Sequence, residues 1–160
     1  SIMEMRAALA PDIARLCAER ADASLASLLA EVVADMRSVL QAEAESSETL
    51  DALQLLSLDF WDLLVTGSNN IAYRLAFNTL RQTYELIREA LVIPLASELR
   101  ELDEYARVVA AIRAGDPQQA RANAAAIVDR GTQGVLAGIE LLGQLDQISQ
   151  AHSNTTREDS

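Results

Sequence analysis

Apolar residues recur at steps of three and four along almost the whole chain, from Ile2 to about Ile148, and nowhere alternate strictly over the length of a strand. That period lays one side of a helix against a core and offers no pleated face to a sheet. Composition points the same way. Half the residues are hydrophobic, Ala and Leu dominate them, and the aromatic residues are one Trp, three Tyr and two Phe. Such a mixture favours helix over strand. With 160 residues the chain can bury roughly two-thirds of its unfolded surface around one core. The expected fold is all-α: a single-domain antiparallel bundle of about six helices.

Punctuation residues place those helices. The first is expected from Ile2 to Arg20, with an irregularity at Pro11, which lacks a backbone donor. The second spans about Ala23 to Ala44, with Leu25, Leu28, Leu29, Val32, Val33, Met36 and Leu40 on one broad stripe. Glu43 to Glu48 is a polar break, after which Ser47 offers an N-cap for a third helix that runs to Thr66 and ends at Gly67-Ser68. Asn69 or Asn70 opens the fourth, which continues to about Val92, and Ile93-Pro94 breaks the chain after it. A fifth spans Leu95 to Ala114 and stops at Gly115. Asp116 caps the sixth, with Pro117 in its first turn. This last helix reaches Ile148 across Gly131, Gly134 and Gly138. Residues 1–148 thus form the domain, and the polar segment 149–160 is expected to be disordered.

All 13 basic residues are arginine, against 24 acidic ones, for a net charge of −11. Such a surface repels phosphate backbones, so DNA contact through this segment alone is not expected. No apolar run approaches the roughly 20 residues needed to cross a bilayer, and no signal segment opens the chain. A soluble, cytoplasmic location without membrane contact follows as an expectation. Cys17 is the sole cysteine and reads as a small apolar side chain within the first helix.

Chemistry has little to stand on. The helical body holds no Cys–His or Ser–His pairing and no Gly-rich phosphate loop, and the single histidine, His152, lies in the tail. No catalytic residue is assigned, and neither a cofactor nor a metal is expected.

A set of short motifs is more telling. Phe60-Trp61 is followed by Gly67-Ser68-Asn69-Asn70, and Glu104-Tyr105 by Ala111-Ile112 and Gly115-Asp116. Their order and separations resemble the effector-binding (FCD) domain of the FadR branch of GntR-type bacterial transcription regulators. That family carries Asp-x-x-Phe-His, a small-polar-Asn turn, Glu-His, an apolar run ending Gly-Asp, and a last His. Glu4-Met5-Arg6-Ala7-Ala8-Leu9 is similar to the family's opening Glu-x-Arg-x-x-Leu-Glu, with Ala10 in place of the second Glu, and Arg15-Leu16-Cys17-Ala18 continues its Ala-rich helix. The likeness covers about residues 3 to 130.

In many members an Asp and three His hold a divalent metal in the domain's cavity. Ser57, Trp61, Tyr105 and Ile127 occupy those four places here. Trp and Ile have no lone pair to offer, Ser is a poor ligand, and Tyr binds only as a phenolate. What the resemblance implies is therefore a cavity of more apolar lining, with an indole donor and hydroxyls left to orient a ligand. The family's namesake lacks the metal set and senses fatty acyl-CoA, so a small apolar or acyl effector is the first class implied. Asn70 and Arg74, on one face of the fourth helix with Asn78 and Arg81, are candidate contacts, and Arg6 and Arg74 are candidate anchors for an acid group. The resemblance also implies a homodimer, and operator DNA reached through an N-terminal winged-helix domain absent from this chain. Two alternatives stay open: a structural dimerisation bundle whose cavity Trp61, Tyr105 and Ile127 fill themselves, and a free-standing carrier of apolar molecules.

Overall fold

In a computed structural model of the chain, the backbone is described for residues 1–42 and 46–158 and the side chains as far as Ala151. Seven helices follow one another: α1 (Ile2–Arg20), α2 (Ala23–Ala42), α3 (Ser47–Ser68), α4 (Ile71–Leu91), α5 (Ala96–Arg100), α6 (Leu102–Arg113) and α7 (Pro117–Glu158). Among the described residues there is no strand. The all-α antiparallel bundle read from periodicity is the observed architecture. None of these helices is long and apolar enough to cross a membrane.

The core lies where α1, α3, α6 and α7 meet, with α2 closing one side against α3 and α6. Ala14, Cys17, Leu29, Met36, Leu53, Phe60, Tyr105 and Ile127 are wholly enclosed. α4 is different. Of its residues only Phe77 is buried, and the helix leans on α3 and the edge of α1 as an outer layer.

Several element ends differ from the sequence reading, each for a local reason. α1 is not among them: it spans Ile2–Arg20 as read, with Pro11 inside it. The cap of α3 is Ser46 and not Ser47, because Ser46 Oγ accepts from the Thr49 backbone at 3.2 Å. α3 also passes Gly67 and ends at Ser68, with Asn69 in the left-handed region at φ 46° that asparagine tolerates. Gly67 serves packing there: a Cβ would lie 2.5 Å from Cys17 Sγ and 2.2 Å from a methyl of Leu25. The expected fifth helix is divided at Glu101, whose ψ of 62° breaks the ladder. Asp103 and Glu104 then favour the fresh N-terminus of α6. Leu28 of the expected stripe faces solvent, while Leu29, Val33 and Met36 are buried.

Beyond Ser149 the helical backbone of α7 is described as far as Glu158. His152 and the final two residues lie outside the described side chains, as do residues 43–45 of the expected polar break. At the other end of α7 the cap is as read: Asp116 accepts from the Gln119 backbone at 3.0 Å, and Gly115 takes a φ of 61°.

Candidate functional site

Arg6 enters the core side of α1 one turn into the helix and meets Glu98 of the short α5, Nη2 to Oε1, at 2.6 Å. Both groups are largely enclosed, at 16% and 2% exposure. Burial opposes the guanidinium's charge, yet the adjoining Glu98 carboxylate outweighs it and holds Arg6 above its ordinary pKa. The other Glu98 oxygen, Oε2, has no hydrogen-bond partner among the described residues. It is seated against Gly131 of α7, where any Cβ would lie 1.7 Å from it. A glycine inside a helix costs stability. Here it makes room for a buried carboxylate.

Beside this pair, Ser57 of α3 and Tyr105 of α6 share a buried hydroxyl–hydroxyl bond of 3.0 Å. Enclosure, reinforced by the nearby Glu98 charge, drives the Tyr105 phenol far above its ordinary value. It stays protonated, and no phenolate ligand arises. Phe60 stands edge-on to both neighbouring rings, 5.9 Å from Trp61 and 5.0 Å from Tyr105 between centroids. Trp61 is buried with its Nε1 unpartnered among the described residues. Ile127 is wholly enclosed in the same core. With one hydroxyl pair satisfied internally, an indole and an alkyl chain, these four residues do not fit a divalent metal.

Two cavities of about 50 Å³ each flank Arg6 and Trp61. One is bounded by Gln54, Ser57, Leu58, Arg81, Tyr84 and Glu98, the other by Leu9, Ile13, Phe77 and Val128, and Leu80 of α4 closes both. Space of this size suits a few waters, whereas drug-sized ligands occupy roughly 300–1,000 Å³. α4 supplies the outer wall through Phe77, Leu80, Arg81 and Tyr84. Burial pushes the Tyr84 hydroxyl up to about 12, despite the opposing influence of Arg6.

Arg6, Ser57, Trp61 and Tyr105 are thus brought together, with Ile127 in the adjoining core. Asn70 and Arg74 are not. Asn70 caps α4, its Oδ1 accepting from Ala72 at 3.0 Å and Tyr73 at 3.4 Å. Arg74 is spent on α3, donating to Asp62 Oδ1 at 2.7 Å and Thr66 Oγ1 at 2.6 Å. The two line a separate open depression of about 270 Å³ with Val65 and Ile71. From that stripe it is Arg81 that reaches the Trp61 cavity. Glu98, Gln54 and Tyr84 were not singled out in the sequence. Nothing marks them by type, but Gly131 inside a helical run was a usable sign of a close approach.

The family model described as "FCD domain" matches residues 1–130. The HTH-type transcriptional regulator Mce2R of Mycobacterium tuberculosis is 30% identical over 137 residues, covering 86% of this chain and 54% of that protein. An uncharacterized HTH-type transcriptional regulator of Mycobacterium bovis matches to the same extent. The chain therefore spans about half the length of the curated relatives it matches. Among solved structures, Streptococcus agalactiae GntR superposes with a TM-score of 0.62 at 25% identity, covering 79% of this chain and 54% of that one.

Proposed function

The chain belongs to the FCD domain family, and from that premise we propose that it is the effector-binding and dimerisation module of a FadR-branch, GntR-type transcription regulator. In this reading it works in the cytoplasm by binding and not by catalysis, and it acts on operator DNA through a winged-helix domain outside this segment. The relatives named as HTH-type regulators, about twice as long as the matched segment, support the division of labour. The net charge of −11 supports it too, since DNA is then left to a separate basic surface.

The observation that carries the site is the pair of cavities around Arg6 and Trp61 beneath α4. Their walls are mostly apolar, with Leu80, Leu95, Leu99 and Trp61 beside the guanidiniums of Arg6 and Arg81, the first of them paired with Glu98. An effector with an apolar body and an acid group matches that lining, and a fatty acid or its CoA thioester is the reading to test first. About 50 Å³ on each side of Arg6 leaves no space for an acyl chain while α4 is seated, so binding requires α4 to lift. The ligand then selects the open arrangement by its differential affinity.

The smallness of the same cavities favours a second reading, a dimerisation bundle that is filled by its own side chains. Native mass spectrometry of the purified chain, joined to a melting series over acyl chain lengths, separates the two. A co-purified acid, with stabilisation of about 2.7 kcal/mol at a hundredfold excess over Kd, bears out the sensor. The absence of both leaves the filled bundle as the better account.

A further inference from the structure

The two cavities at Arg6 and Trp61 differ in what they ask of an occupant. Apart from Arg6 and the Trp61 indole, the one walled by Leu9, Ile13, Phe77 and Val128 has only apolar side chains around it. The other is lined along α3 by Gln54, Ser57, Leu58 and Trp61, whose steps of three, one and three keep them on one face. Ser57 is bonded to Tyr105. Gln54 is wholly enclosed; its Nε2 donates to the Arg88 carbonyl at 3.4 Å, and its Oε1 has no partner among the described residues. Trp61 is 7% exposed, and its Nε1 is likewise unpartnered among them. One wall of one cavity thus presents a buried acceptor and a buried donor, both unmet.

We propose that Gln54 and Trp61 determine specificity at this site, and that they select an acyl effector carrying a hydroxyl beside its acid group. This rests on the effector-binding reading and adds the chemistry of the ligand's polar end. An ionised acid accepts hydrogen bonds and donates none. Its oxygens can serve Trp61 Nε1 and the guanidiniums of Arg6 and Arg81, and they leave Gln54 Oε1 unmet. A hydroxyl supplies the missing donor, and it is a group small enough for about 50 Å³. Water can fill both roles as well, so an effector that displaces it keeps its affinity only by bringing the same pair.

The contrast between the cavities also orients the ligand. Acid and hydroxyl lie on the side of Gln54 and Arg81, and the apolar body passes Arg6 toward Leu9, Ile13, Phe77 and Val128.

Isothermal titration calorimetry of the full 160-residue chain with dodecanoic acid and its β-hydroxy and ω-hydroxy derivatives tests this. The β-hydroxy acid should bind roughly tenfold or more tightly than the plain acid, because a site built to bond a hydroxyl rejects the analogue that lacks it. The ω-hydroxy acid should bind more weakly than either, since its hydroxyl is carried into the apolar cavity. Gln54→Met removes the acceptor at similar volume and should abolish the preference for the β-hydroxyl. A structural role for Gln54 would instead weaken all three acids alike. Trp61→Phe should weaken all three without changing their order, because each gives up the indole donor. Equal affinity for the plain and β-hydroxy acids, or a preference that survives Gln54→Met, overturns the assignment and leaves an acyl sensor standing. Binding of none of the three overturns the sensor with it. Should Gln54→Met fold poorly, the ranking on the unaltered protein decides, and any order other than β-hydroxy, plain, ω-hydroxy sinks the proposal.

Discussion

Gly131 determines whether a charged Glu98 can lie inside the bundle. In an ordinary helix Gly→Ala is stabilising, by about 0.4–1 kcal/mol. At Gly131 the added Cβ would meet Glu98 Oε2, so Gly131→Ala should destabilise by roughly 1–3 kcal/mol as an overpacked core does. Urea denaturation gives the sign directly. Glu98→Ala should cost more, about 3–5 kcal/mol, because Arg6 is then left buried without its partner. Asp12 offers a pH test. Hydrogen bonds from Arg15 and Tyr73 hold its carboxyl below the usual range. Its stabilisation is therefore present above the unfolded value near 3.9 and is lost as pH falls through the lower folded value. Asp12→Asn should flatten that acid limb in melts recorded between about pH 5 and pH 2.

At the scale of elements, α4 is the least anchored long helix, held by Phe77 and by surface pairs such as Arg74 with Asp62 and Arg88 with Asp51. Hydrogen exchange should be faster along α4 than along α3 or the bundle part of α7, where closure rests on many buried side chains. Equal protection would contradict an outer wall that lifts. Helix identity was legible in the sequence because period and caps are local, as Asp116 and Pro117 illustrate. What was not legible depends on neighbours. Gly67 reads as a terminator and is a contact point for Cys17 and Leu25. Glu101 reads as mid-helix and is a break. Trp61 and Tyr105 were found through family spacing, whereas Glu98 had no local mark, since its burial is set by Arg6 ninety-two positions away. Arg74 looked like a free anchor because Asp62 and Thr66 lie on another helix.

For the whole molecule, charge governs what the segment can touch. At −11 it should not shift operator DNA in a gel assay, and tight binding without an added basic domain would contradict the electrostatic argument. Trp61 is the only tryptophan and lines both cavities, so an effector seated there should change intrinsic fluorescence. A ligand that raises the melting temperature without an optical response would belong elsewhere, such as the open depression beside Asn70 and Arg74.

α7 is one unbroken helix from the carboxylate at Gly131 to the exposed tip at Ile148. Over that stretch it is a rigid arm of about 25 Å, and a tilt of about 10° at its root carries the tip through about 4 Å. Whatever loosens Glu98 from Arg6 also changes what presses on the root of the arm. A displacement too small to notice beside Trp61 is thereby enlarged at the far end of the molecule.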